Sequence, residues 1–565
     1  MKFVRLTVIF TLIFFVKFNV HAQSLPVGTA VLEDYYRRAQ LLGITDTNVS
    51  LTVRPIFPNF IKKGTDAYFP DTTERRYGLL NSKGLWQTNN KKLTFSLLPL
   101  SVQTEFNSNY PYGWNDGPMI PAKGLQTMVS AGFFAQYGPL SIQLMPEFVD
   151  AANPAFSTFN PNQYDVIFAR YYDIYNNIDL PVRFGTTSYK KAYWGQSSVR
   201  LNFFKALSVG LSTENLWWGP GIQNSLLMSN TAPGFPHVTL NTLRPLQTPI
   251  GSFEGQIIGG RLENSGFPPL EPDHYFFSTD LYVPKPTDWR YLSGIILTWQ
   301  PKWVPGLFLG FDKSAQTFGK SLSSIKDYLP IFSIIKQTGA PDNPIAKQDQ
   351  LSSVFMRWIW EQEHAEIYFE WGQYNDTADL LQWLLEPNNS RAYIFGVRKL
   401  LPLKGSDNGN ILIGVEVTQL QENSVTNIEN GTEWYVSQFI RQGYTNMGQE
   451  LGAGIGPGAN LQTVEVSWVK GLKKIGLQFN RYVHNNDFYY YAFEDSKNYS
   501  QNWVDLSIAL TGEWNYKNFI FNAKVLGIKS LNYQWALKKN GDDIFFVNQL
   551  NAYNLQLQAG ITYRF

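Results

Sequence analysis

Tyr553-Asn554-Leu555-Gln556-Leu557-Gln558-Ala559-Gly560-Ile561-Thr562-Tyr563-Arg564-Phe565 is the stretch whose reading decides the fold. Every odd position from Tyr553 to Phe565 is apolar or aromatic, and every even one is small, polar or charged. Successive side chains of a strand point to opposite faces, so this run has one apolar and one polar face. Its length slightly exceeds the roughly 9–11 residues that a tilted strand needs to cross a bilayer. A register placing Arg564 toward lipid would cost up to about 2–4 kcal/mol at mid-bilayer. The pattern predicts a lipid-facing strand of an outer-membrane barrel, with Tyr563 and Phe565 as the terminal aromatic signal read by the barrel-insertion machinery.

The same alternation recurs upstream. Val199, Leu201 and Phe203 oppose Arg200 and Asn202; Leu207, Val209 and Leu211 follow after a tight connection at Lys205-Ala206. Further runs lie at Ile411–Thr418, Thr463–Trp468, Ile475–Asn480 and Val504–Thr511, with Lys470–Lys474 as another short turn. Such runs read as half-apolar strands. Long polar or Pro-rich stretches, Phe60–Asn90, Ser229–Pro286 and Asp312–Gln350, are expected to be surface or lumen loops. The fold class is therefore all-β: a large antiparallel transmembrane barrel with a short N-terminal helical segment.

Composition agrees. The 565 residues include 31 Tyr, 40 Phe and 17 Trp but only 16% charged residues. Tyr and Trp suit membrane interfaces and sugar-binding surfaces alike. The formal net charge of +2 shows no clustered basic face for nucleic acid. The absence of cysteine excludes disulfides, thiol catalysis, Cys-ligated metal and a cysteine-borne lipid anchor.

Lys2 and Arg5 precede an apolar run, Leu6–Val16, too short to span a bilayer, and Val20-His21-Ala22 offers a cleavage site. Residues 1–22 read as a signal peptide cut between Ala22 and Gln23. Residues 23–48 read as a periplasmic helical segment, and 49–565 as the barrel with long loops. The helix is expected from Gly28 to Gly43, with Thr29 as cap, Gly43 as stop, and Val31, Tyr35, Ala39 and Leu42 on one face.

Candidate chemistry is sparse. His237, His274, His364 and His484 lack metal-ligand spacing, so no metal and no cofactor are expected. Gly454–Ala459 matches a dinucleotide fingerprint only formally, since Pro457 intrudes and no helix pattern follows. Glu366, Glu370, Glu416, Glu465 and Asp505 fall on inward strand faces, as do Arg200, Arg398, Lys524 and Arg564. They read as an ion-pair network bracing the wall, with a glycosidase carboxylate pair as the competing reading. The most unusual segment is Glu214–Leu246, with Trp217-Trp218-Gly219-Pro220-Gly221 and Ala232-Pro233-Gly234-Phe235-Pro236-His237. Paired Trp with Gly and Pro makes a rigid aromatic surface that suits stacking on sugar, an interface belt or a plug in the lumen.

These residues resemble the capsule-assembly Wzi family, particularly its branch in Bacteroidetes-type bacteria. The resemblance runs in order through Glu33–Arg38, Tyr137–Leu140, Asp179–Pro181, Gly195–Ser198, the Trp-Trp-Gly-Pro-Gly block, Gly260–Glu263, Tyr368–Gly372 and Gln442–Gln449. One departure is visible: Asn388-Asn389-Ser390-Arg391 stands where relatives tend to carry a histidine before Ser-Arg. The resemblance implies an 18-stranded outer-membrane barrel of a Gram-negative bacterium. It implies a lectin-like, non-enzymatic role in attaching and assembling capsular or other surface polysaccharide. Candidate polysaccharide contacts are Trp217, Trp218, Arg244, Tyr444 and Asn446. A porin-like channel and an outer-membrane hydrolase are the alternatives. The expected partners are surface polysaccharide, outer-membrane lipids and the insertion machinery.

Overall fold

Alternating strands bury their polar face and expose their apolar one only if the sheet closes around a polar interior, and this chain does so. The structure, a computed structural model, describes residues 24–57, 67–70, 85–88, 93–159, 164–204, 206–322, 328, 348–374, 390–405, 409–422, 433–493, 502–535, 537–540 and 543–565. The signal segment with Ala22 and Gln23, Lys205, Asn388-Asn389 and most of Phe60–Asn90 lie outside these.

Eighteen antiparallel strands close the wall. They are β1 (Leu93–Asn107), β2 (Gly124–Tyr137), β3 (Leu140–Leu144 and Glu147–Ala151), β4 (Tyr189–Tyr193 and Ser198–Phe203), β5 (Leu207–Ser212) and β6 (His237–Thr242 and Leu246–Thr248). Then come β7 (Gly251–Leu262), β8 (Arg290–Pro301), β9 (Leu307–Phe318), β10 (Asp349–Trp360), β11 (Ala365–Tyr374) and β12 (Arg391–Pro402). The last six are β13 (Asn410–Gln419), β14 (Asn460–Lys470), β15 (Lys473–Val483), β16 (Val504–Tyr516), β17 (Phe519–Leu531) and β18 (Ala552–Tyr563). β18 pairs with β17 through Tyr563↔Phe519 and with β1 through Tyr563↔Leu100, which closes the ring.

On β18, Tyr553, Leu555, Leu557 and Ile561 are exposed while Asn554 and Gln556, and Arg564 just after the strand, are buried. The inward guanidinium of Arg564 donates to the carbonyls of Tyr68 and Lys517. On β4, Val199 and Leu201 point out and Arg200 and Asn202 point in. An outer face this apolar is stable only against lipid. No helix among the described residues is long and apolar enough to cross a membrane.

Short connections, such as Gly138-Pro139, Gly471-Leu472 and Lys517-Asn518, lie at one end, and long ones at the other. Barrels of this kind keep short turns in the periplasm and long loops outside. Two expected loops need correction. Ser229–Pro286 contains wall strands β6 and β7, and Asp312–Gln350 begins inside β9. Glycines at 255, 259 and 260 hid β7, yet they are packing sites. A β-carbon on Gly260 would lie 2.7 Å from the Phe235 ring, and one on Gly259 would lie 2.3 Å from the Tyr291 hydroxyl.

Helix α1 (Ala30–Leu41) sits in the short-turn mouth. Leu41 packs with Phe308, Ile359, Leu400, Leu412 and Val469. Thr29 does not cap α1 with its side chain; its hydroxyl donates to the Pro26 carbonyl instead. Gly43, at φ +66, ends the turn after it. The buried face is broader than a single stripe, because Tyr36, Arg37, Arg38 and Gln40 are buried as well. Two further helices, α2 (Asp165–Tyr175) and α3 (Asn486–Ala492), lie among the long loops.

Candidate functional site

Inside the wall the chain makes a second structure, the plug. Residues 213–236 leave β5 at the loop end, fold into the lumen and return to β6. Trp217-Trp218 pairs antiparallel with Val53-Arg54, through Val53↔Trp218 and Arg54↔Trp217. The N-terminal arm thereby crosses the lumen. The Ser50 amide donates to Glu254 of β7 at 2.7 Å, and Arg357 of β10 donates to the Ser50 carbonyl at 2.6 Å.

The Trp-Trp-Gly-Pro-Gly block is built for this burial. Trp218 is fully buried and donates through Nε1 to Gln256 Oε1 at 2.8 Å. Its ring lies on Gly294 of the wall, where a β-carbon would come within 2.6 Å of it. Arg54 stands over the Trp217 ring at 5.2 Å. Gly221 has no room for a β-carbon against the Asn224 carbonyl, 1.9 Å away. The turn this permits points its amides at one wall carboxylate: Glu416 accepts from Ile222 (2.8 Å), Gln223 (2.9 Å) and Asn224 (3.2 Å), and from the Tyr368 hydroxyl (2.7 Å). Buried donors and acceptors left unpaired are costly, and these pairings satisfy both partners.

Of the inward charges expected from the sequence, Glu366, Glu465, Arg200 and Arg398 enter ion pairs, whereas Glu370 and Glu416 accept from plug amides, Arg564 donates to backbone carbonyls and Lys524 meets no carboxylate among the described residues. Glu366 of β11 accepts from Arg357 and Arg37, each at 2.7 Å. Arg200 meets Glu214 at 2.5 Å, and Lys474 meets Glu465 at 2.6 Å. Asp34 of α1 contacts Arg398 at 2.5 Å, Arg38 at 2.8 Å and Lys474 at 3.7 Å. Burial alone would raise the Asp34 carboxyl, but Lys474, Arg38 and Arg398 outweigh it and hold it well below the usual carboxylate range. His484 is bonded to Asp505 at 2.8 Å, stacked on Trp503 (3.6 Å) and in tilted contact with Tyr482 (3.9 Å).

Of the five residues singled out in the sequence, four belong to the plug and its supports. Tyr444 is fully buried, bonded to Ser314 Oγ at 2.8 Å and stacked on Tyr435 at 5.8 Å. Asn446 donates to the Pro233 carbonyl (3.0 Å) and accepts from the Glu263 amide (3.1 Å). Trp217 and Trp218 are buried beside them. Arg244 is exposed in the break of β6, toward the short-turn mouth, and does not join the other four.

Two cavities lie between plug and wall. One, of about 300 Å³, is lined by Trp114, Trp217, Asp116, Arg37, Lys524 and neighbours. Another, of about 230 Å³, shares Asn115, Asp116 and Asn230 with it. Above the plug, the long loops form a cap. α2 and α3 are joined there: Arg170 donates to the Tyr491 carbonyl at 2.9 Å, and the Tyr491 hydroxyl donates to Asp173 at 2.8 Å. His274 stacks on Phe168 at 4.1 Å, and Arg441 donates to the Val283 carbonyl at 2.5 Å. This face exposes Tyr164, Tyr275, Phe277, Phe439 and Tyr491 among charged neighbours such as Asp173, Glu271 and Asp273. The sequence reading missed these rings. The signal for the cap helices beneath them was the loss of alternation in the aromatic runs Phe168–Tyr175 and Phe488–Tyr491.

The family profile described as capsule assembly protein Wzi matches residues 122–525. No curated protein sequence matches the chain. Among solved structures, it is similar to Escherichia coli Wzi, described as an outer membrane protein involved in group 1 capsule assembly and a carbohydrate-binding β-barrel. That match has 12% identity and a TM-score of 0.60, covering 96% of this chain and 100% of that one. OccK7 (OpdD) of Pseudomonas aeruginosa has 9% identity and a TM-score of 0.37, covering 82% of this chain and 98% of that one. A BenF-like porin from Pseudomonas fluorescens has 7% identity and a TM-score of 0.36, covering 83% and 98%.

Proposed function

Because the chain belongs to the capsule assembly protein Wzi family, we propose that it holds surface polysaccharide at the outer membrane of a Gram-negative bacterium without chemically altering it. The loop cap is the contact face in this reading. Its exposed Tyr275, Phe277, Phe439 and Tyr491 are the observation that carries it. Aromatic faces stack on sugar rings, and the polar groups beside them bond to hydroxyls. A repeating glycan meets several such sites on neighbouring barrels, so weak contacts sum through avidity. Trp217, Trp218, Tyr444 and Asn446 serve as the frame under that face. Arg244 lies apart from it, at the opposite mouth.

Filling of the lumen by the plug and the N-terminal arm favours this role over a porin-like one. Planar-bilayer conductance separates the two: a steady open current sinks the attachment reading. The direct test is complementation of a deletion strain of a capsulated host. Cell-bound capsule is expected to return with the wild-type chain and to fall toward the shed fraction with a Phe277→Ser/Phe439→Ser/Tyr491→Ala chain. Equal retention by both chains would remove the cap from the mechanism.

A further inference from the structure

The outer surface of the wall holds a groove that neither the plug nor the cap uses. It encloses about 920 Å³ against the lipid-facing side of β14–β18, near the loop end. Strand register sets Phe479, Ile508, Gly527 and Leu555 side by side at one height. Gly527 is the gap in that row: a β-carbon there would meet nothing within 4 Å, while the three neighbours are exposed apolar side chains.

One step nearer the loops the row reads Arg481, Leu506, Lys529 and Tyr553. Both cations point outward. Arg481 donates to the Gln462 amide oxygen at 2.8 Å, and among the described residues neither cation meets a carboxylate. Some other exposed cations of the barrel do: Lys190 with Asp150, Arg261 with Glu263, and Lys320 with Asp288. Arg481 and Lys529 stand two strands apart, roughly 10 Å at the usual spacing. They sit where the apolar band gives way to the headgroup layer, on the long-loop side of the membrane. A charge at that boundary is stabilised by an anionic headgroup.

We propose that this groove binds a phosphorylated, acylated lipid of the outer leaflet. One acyl chain lies over Gly527 between Ile508 and Leu555, and Arg481 and Lys529 engage the lipid's phosphates. The cations give selectivity for the headgroup, and the missing side chain gives the chain its bed.

The test uses the full mature chain in neutral detergent, titrated with bisphosphorylated lipid A and followed by native mass spectrometry. Wild type is expected to retain one lipid. Arg481→Gln/Lys529→Gln is expected to bind about tenfold more weakly or worse. Gly527→Leu is expected to lose affinity while still preferring phosphorylated over dephosphorylated lipid A. Inorganic phosphate is expected not to compete. Heat-modifiable gel mobility identifies closed barrels, and Lys529→Gln alone replaces the double variant if that one fails to close. Unchanged binding by the cation variant, equal binding of dephosphorylated lipid A, or displacement by inorganic phosphate would each overturn the proposal.

Discussion

Trp218 and Phe277 are both large aromatic residues between wall strands, and both lie on the same barrel. Trp218 has no exposed surface, and its ring, indole nitrogen and backbone are all engaged. Phe277 is 88% exposed in the cap. The plug is the region with the distinctive sequence, and the cap is the region with free groups. A rare motif such as Trp-Trp-Gly-Pro-Gly records how narrowly packing constrains a backbone. Recognition of a ligand needs side chains that the fold has not already used.

The largest expected break of this contrast is Glu366→Ala, which strands Arg357 and Arg37 without their shared carboxylate. Removing one partner of a buried ion pair costs about 3–5 kcal/mol. Thermal unfolding of the purified barrel should show it, and an unchanged midpoint would refute the bracing role. Trp218→Ala comes next, at about 3 kcal/mol from lost packing, with polysaccharide affinity retained in the fraction that stays folded. Equal loss of affinity in that fraction would move binding into the plug.

A smaller effect is confined to acid. Because the folded Asp34 carboxyl titrates lower than the unfolded one, its stabilisation is complete above about pH 4. It is lost only as pH falls through the depressed value. The stability gap between wild type and Asp34→Asn should therefore stay constant from neutral pH to about 4 and close below that. A gap already gone at pH 5 would contradict the arrangement around α1. Smallest is Phe277→Ser, expected to shift stability by less than about 0.5 kcal/mol while weakening polysaccharide binding in a pull-down. The opposite ranking, a destabilised fold with intact binding, would reverse the roles of cap and plug.

The wall was legible because period-two alternation survives wherever one face meets lipid and the other the lumen, as at Val199–Phe203 and Tyr553–Arg564. It failed at β7, where glycines make room for Phe235 and Tyr291, and at β9, whose inward Asp312, Ser314 and Gln316 read as loop. Charges such as Glu366 were assigned inward by parity alone. Their partners were not: Arg37 comes from α1, and no periodicity links a helix to a strand so far along the chain. The plug was weighed against a stacking surface, and composition could not choose between them. The choice depends on what Gly294 and Gln256 present from across the lumen.

The small ladder joining Val53-Arg54 to Trp217-Trp218 also carries an entropic consequence. It ties an arm that precedes the wall to a segment that follows β5, inside a ring completed only when β18 meets β1. Bringing such distant segments together from a loose chain carries the full entropy of closing a long loop. Laying down β1 to β5 first leaves a far shorter span to close. The finished ring thus encloses a cargo of its own chain.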